Sequence, residues 1–125
     1  GGKIIGVDSD QSPIIDAYGK GMTVTSAMKS LTATVNSMLD SIIFDGTWSE
    51  HVGKVENLGL VSKDDMSLNY VGLPEDTTQW NDDFTVDDYK QLVADIFDGK
   101  VKVSNEIDQM PKVSVKLNER QGTIK

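Results

Sequence analysis

An apolar, β-branched run at residues 3–7 stops at Asp8-Ser9-Asp10, and further along the hydrophobic period changes from that of a strand to that of a helix. From Ser26, the residues Met28, Leu31, Val35, Met38, Leu39, Ile42 and Ile43 recur at helical spacing as far as Phe44, where Asp45-Gly46 ends the pattern. A short buried strand followed by a long amphipathic helix over about 26–44 constrains the chain to an α/β arrangement with a largely parallel sheet.

The remaining punctuation agrees with that class. Thr23-Val24-Thr25 reads as a second, very short strand after the glycine-bracketed loop Tyr18-Gly19-Lys20-Gly21. Residues 55–61 and 68–73 read as strand or extended structure, with Gly59 and Gly72 at bends. A second helix is predicted up to Phe97. Thr85 is its N-cap, Asp88 completes an Asp variant of the capping box, Phe84 and Tyr89 flank the cap, and Gly99 supplies the left-handed residue after the last turn. Residues 101–103 alternate as a strand. Beyond them Val113, Val115 and Leu117 alternate with polar residues, but Pro111 argues for an edge or a loose segment.

Composition excludes several functions. With 125 residues and 38% hydrophobic content the chain is long enough for one domain with its own core. It contains no cysteine, so thiolate metal sites, disulfides and a cysteine nucleophile are excluded. A net charge of −8 repels phosphate backbones and argues against nucleic acid as a partner. No apolar run approaches the ~20 residues that span a bilayer.

In a parallel α/β sheet, ligands bind beyond the carboxyl ends of the strands. Asp8 and Asp10 stand at such an end, where a carboxylate serves either as a turn former or as an acceptor for hydroxyls or a cation. A calcium loop beginning at Asp8 fails, because its glycine position falls on Pro13 and its last carboxylate position on Gly19. Nothing in the sequence calls for a metal or other cofactor. His51, the single histidine, reads as a surface loop residue, and Trp48 and Trp80 as covers at the edge of a core. No nucleophile, metal set or phosphate loop accompanies Asp8, so catalysis is not expected.

Gly6-Val7-Asp8-Ser9-Asp10-Gln11, followed by Thr25-Ser26-Ala27-Met28-Lys29 opening a long helix, resembles the paired signature of the BMP family. These are the basic membrane lipoprotein, or PnrA-like, substrate-binding proteins of ABC transporters. NYVGLP at 69–74 and GKVKVSNEIDQMPKVSVKLN at 99–118 are similar to the C-terminal part of Gram-positive members, so the resemblance covers nearly the whole chain. It implies the C-terminal portion of a type I periplasmic-binding-protein fold, in which two Rossmann-like lobes close on a ligand. The first lobe and the lipid-anchored N-terminus would lie outside this sequence.

The implied function is a non-catalytic receptor, held by its lipid anchor on the outer face of a bacterial membrane. It would bind a purine nucleoside or similar solute and deliver it to an ABC permease. The alternative is a sensing or regulatory domain on the same scaffold. By the same resemblance Asp8 and Lys29 hold the ribose hydroxyls, with Asp10, Gln11 and Ser26 as turn or supporting residues. The stripe of the long helix would then pack partly against sequence not present here, or lead the fragment to self-associate.

Overall fold

The computed structural model describes residues 1–104, 108 and 112–118. In order, the elements are strand β1 (Ile4–Asp8), helix α1 (Ser12–Ile15), strand β2 (Thr23–Lys29), helix α2 (Leu31–Ile43), strand β3 (Val71–Gly72) and helix α3 (Val86–Phe97). Single 3-10 turns occupy Trp48–Glu50 and Met66–Leu68.

The three strands form one sheet in the order β1-β2-β3, with β1 and β2 parallel and β2 and β3 antiparallel. The α/β class therefore stands, but the sheet is mixed where a largely parallel one was expected. β1 runs beside β2 from Ile4 opposite Thr23 to Asp8 opposite Met28, with a register shift after Ile4. Val24, the residue skipped by that shift, accepts the Gln79 N–H at 2.7 Å through its carbonyl.

β2 is longer than its two threonines suggested, and this corrects the start of the long helix. Ser26, Ala27, Met28 and Lys29 continue the strand, because their backbone pairs with β1 and then β3. Ser30 then caps α2 by accepting the Ala33 N–H at 3.2 Å. Met28 accordingly belongs to the sheet and not to the helical stripe. Lys29 ends the strand, one residue before the Ser30 cap of α2.

Residues 55–61, read as strand or extended structure, form no strand, and of 68–73 only Val71–Gly72 is strand. The Asn69 side chain fastens the end of the first stretch. Its carbonyl oxygen accepts the N–H groups of Val61 and Ser62 at 2.7 and 2.9 Å, and its amide donates to Ser62 O at 2.8 Å, while one backbone bond, Tyr70 N–H to Gly59 O at 3.0 Å, joins the two stretches. Residues 101–103 form no strand. Val113, Val115 and Leu117 are exposed and irregular, and Pro111 lies outside the described residues.

α3 matches its predicted ends. Thr85 accepts from Asp88 N at 3.2 Å while Asp88 accepts from Thr85 N at 2.9 Å, and Gly99 takes φ +75°. Its inner face supplies Tyr89 and Val93, the two buried apolar side chains among the described residues. Trp80 stacks on Tyr89 at 5.5 Å and donates its indole N–H to Glu75 O, covering this small core from a loop.

The remaining buried residues are polar: Ser12, Thr23, Ser26, Ser41 and Asn69. Asp16 accepts from both the N–H and hydroxyl of Thr23, at 2.9 and 2.8 Å, and so ties α1 to β2. Gln79 donates to Thr23 O at 2.6 Å. No buried side-chain nitrogen or oxygen among the described residues lacks a partner. Hydrogen bonds, more than apolar contacts, join β1, α1 and β2.

Candidate functional site

Beyond the carboxyl ends of β1 and β2 lies a cleft of about 670 Å³, within the usual size range of small-molecule sites. Asp8, Ser9 and Asp10 line it from the end of β1, and Met28 and Lys29 from the end of β2. Ser30, Leu31 and Thr32 bring in the N-terminus of α2. Met66, Val71, Leu73 and Tyr89 add apolar surface from the opposite side.

Asp8 is held in an uncommon backbone conformation. Its φ is +73°, the one positive φ outside glycine among the described residues, and Ser9 N–H donates to Val7 O across it at 3.0 Å. That is a γ-turn with positive φ at its centre, the rarer and more strained of the two forms. For a residue with a Cβ the left-handed region costs roughly 1–2 kcal/mol. The turn aims the Asp8 carboxylate at Lys29, whose ammonium lies 2.9 Å away. Both side chains are about two-thirds exposed, at 64% and 67%, so their pairing contributes at most about 1 kcal/mol and is easily exchanged for other partners.

Gln11 and Ser26 support this turn from behind. The Gln11 side-chain oxygen accepts Val7 N–H at 3.2 Å, and Gln11 N–H donates to Ser26 Oγ at 3.1 Å. Gly6 lets these groups approach: a Cβ there would stand 2.5 Å from Ser26 Oγ and 3.0 Å from the Gln11 side-chain oxygen. Ser26, in the middle of β2 and fully buried, therefore braces β1 and does not begin a helix.

Asp10 is committed differently. It accepts Ser12 N–H at 3.0 Å, the Ser12 hydroxyl at 3.1 Å and the Thr77 hydroxyl at 2.9 Å. The Ser12 backbone N–H, aided by these hydroxyls, holds its pKa below the ordinary 3.8. Asp10 thereby closes the turn into α1 and fastens the loop after β3 beside it.

Several contributors were not anticipated. Ser30 donates its N–H to Tyr70 O at 2.8 Å, bringing the approach to β3 against the start of α2. Tyr89 reaches the cleft from α3 and accepts Leu73 N–H at 3.0 Å through its hydroxyl. A serine directly before the apolar run of α2 was a usable capping signal. The Thr77 and Tyr89 contacts carried none, since they join residues distant in sequence. His51 lies away from the cleft, with Nδ1 2.9 Å from Glu56 Oε2.

Among the described residues no three histidines or carboxylates gather where a metal could be held, and no helix is long and apolar enough to cross a membrane. The arrangement offers a carboxylate acceptor and an ammonium donor side by side at the mouth of a partly apolar cleft. No family model, curated protein or solved structure matches the chain.

Proposed function

We propose that the chain is a non-catalytic solute-binding module that holds the ribose of a purine nucleoside, or a solute with a similar pair of hydroxyls, between Asp8 and Lys29. The observation that carries this reading is the ion pair at the carboxyl ends of two parallel strands, formed through a strained turn and facing a cleft of ligand size. A carboxylate accepts from two vicinal hydroxyls at once, and an ammonium donates to a hydroxyl oxygen without competing for that acceptor. Because the pair is exposed, a ligand's hydroxyls can replace it at small cost. Met28, Leu31 and Tyr89 offer apolar surface for the rest of the solute. Strain held at a carboxylate that makes no other necessary contact is the pattern expected of a binding group.

The paired G-V-D-S-D-Q and T-S-A-M-K segments support placing the module in an extracytoplasmic, lipid-anchored receptor of the BMP type that passes its solute to an ABC permease. An NMR titration tests the binding itself. Inosine and ribose are expected to shift the amide signals of Asp8, Met28 and Lys29, and hypoxanthine, which lacks the sugar, is expected to leave them unmoved. Asp8→Ala and Lys29→Met should each weaken the response by roughly 1.5–3 kcal/mol, the range for hydrogen bonds to charged groups. Equal responses to base and nucleoside, or an Asp8→Ala variant that binds as the parent does, would return Asp8 to a turn-forming role.

A further inference from the structure

The tripeptide Phe-Asp-Gly occurs twice in the chain, at 44–46 and at 97–99, and each copy closes a helix. Phe44 directly follows α2, and Phe97 is the last residue of α3. Both glycines take the left-handed conformation, Gly46 at φ +65° and Gly99 at φ +75°, and both aspartates are exposed. Local sequence and backbone hand are therefore the same at the two sites, and water reaches both. What differs is how each is tied.

At Asp98-Gly99 every group is engaged. Asp98 N–H donates to Ala94 O at 2.9 Å, Gly99 N–H to Ile96 O at 3.0 Å, and the N–H groups of Lys100 and Val101 to Asp95 O at 2.9 and 3.1 Å. The Asp98 carboxylate lies 3.0 Å from the Lys63 ammonium and 3.7 Å from that of Lys100. At Asp45-Gly46 the Asp45 N–H donates to Asp40 O at 3.0 Å. The Gly46 N–H and the Asp45 carboxylate, by contrast, make no hydrogen bond or ion pair among the described residues.

We infer that Asp45-Gly46 is a site of spontaneous isomerisation to isoaspartate, and that the fold protects the second copy of the same tripeptide. The Gly46 nitrogen, giving up its proton, bonds to Asp45 Cγ while the Cγ–OH bond of the protonated carboxyl breaks, so one water leaves and a succinimide ring closes. Water then adds to either ring carbonyl. Opening at the main-chain carbonyl frees that carbon as a carboxylate and routes the backbone through Cγ, with the mass of the chain unchanged. The attack needs an amide nitrogen that is free and uncrowded, as glycine's is, and a carboxyl able to swing toward it. Asp45-Gly46 offers both. At Asp98-Gly99 the amide is committed to Ile96 and two ammonium groups restrain the carboxylate. The product lengthens the backbone by one carbon just before Thr47, whose N–H donates to Ser41 O at 2.9 Å.

The full chain, held for days at mildly acidic pH and physiological temperature and then cut with trypsin, should yield the Ser30–Lys54 peptide as two species of equal mass. Electron-transfer fragmentation should place isoaspartate at residue 45, and a form lighter by one water should precede it. The Gln91–Lys100 peptide should stay a single species over the same period. In urea, where the ties are gone, residues 45 and 98 should convert at similar rates, which assigns the difference to the fold. Asp45→Glu, which can close only a slower six-membered ring, should abolish the second species. No isoaspartate at residue 45 in the folded chain, or equal amounts at 45 and 98, would overturn the inference. So would a difference that persists in urea, which would trace it to the neighbours Thr47 and Lys100 and not to the fold.

Discussion

α2 and α3 are nearly the same length, 13 and 12 residues, and both begin at a hydroxyl cap, yet they stand in opposite relations to the rest of the chain. α3 is the less apolar of the two and turns its apolar side inward: Tyr89 and Val93 are buried, and Trp80 closes over them. α2 is the more apolar and faces its apolar ridge to solvent, resting on serine, threonine, alanine and Met38. A periodic apolar stripe therefore marks where a helix forms, although two of its members depart from it, Met28 into β2 and Met38 onto the inner side of α2. It does not establish that the chain itself covers the apolar face. Ala33, Thr34, Ser37, Met38 and Ser41 are the residues of α2 that lie toward this molecule, and its large branched residues are left exposed.

The sharpest way to break the comparison is to cut one large side chain from each helix. Tyr89→Ala removes a buried ring, its stacking on Trp80 and the acceptor for Leu73 N–H, and should cost about 3–5 kcal/mol in a urea melt. Leu39→Ala on α2 should fall within about 0.5 kcal/mol of the parent. Similar losses for both would show that Leu39 is covered within the monomer and that the two helices do not differ in kind.

What was legible in the sequence follows from how local each cause is. The ends of α3 could be read because Thr85, Asp88 and Gly99 act on backbone within one turn. The start of α2 could not be, because Met28 satisfies helical spacing and strand alternation equally, and only pairing with β1 decides between them. The stretch 55–61 forms no strand: one backbone bond, from Tyr70 N–H to Gly59 O, joins it to the approach to β3, and at its end the Asn69 side chain takes the Val61 and Ser62 N–H groups, a contact that spacing does not encode. At the cleft, an acid at a strand end and a lysine after the next strand were visible as residue types. The γ-turn at Asp8, the Gly6–Gln11–Ser26 brace and the Thr77 contact to Asp10 depend on close approach in space, which spacing does not encode.

The same contrast reappears where the backbone enters the left-handed region. After α3 the residue there is Gly99, which adopts it freely, while at the end of β1 it is Asp8, which does not. If Asp8 is present for its carboxylate, the site bears a strain that glycine would relieve. Asp8→Gly should then be more stable than Asp8→Ala by about 1 kcal/mol, the two variants differing chiefly in the steric cost of the positive φ. Both should lose the nucleoside response equally. Thermal unfolding of the pair separates backbone strain from side-chain chemistry. An Ala variant as stable as the Gly variant would mean that the turn relaxes and stores nothing.

The smallest effect distinguishes the two helix caps by acid. α3 is closed by a carboxylate: the Thr85 hydroxyl donates to Asp88 at 2.7 Å and, with the Thr85 N–H, holds the Asp88 pKa below its ordinary 3.8. α2 is closed by the Ser30 hydroxyl, which does not titrate in this range. A carboxylate whose pKa is lower in the folded chain than in the unfolded one contributes stability that is fully present above the unfolded value. That contribution is lost as the pH falls through the folded value. Between neutral pH and about pH 5 neither cap should change. Below about pH 4 the amide protons in the first turn of α3 should exchange faster relative to those of Ala33 and Thr34 in α2. Thr85→Ala, which removes the hydroxyl donor, should shrink that difference. Equal acceleration in both helices would mean that acid loosens the whole fold together. Asp10 and Asp16, whose pKa values are lowered mainly by the Ser12 and Thr23 backbone N–H groups, would then account for it.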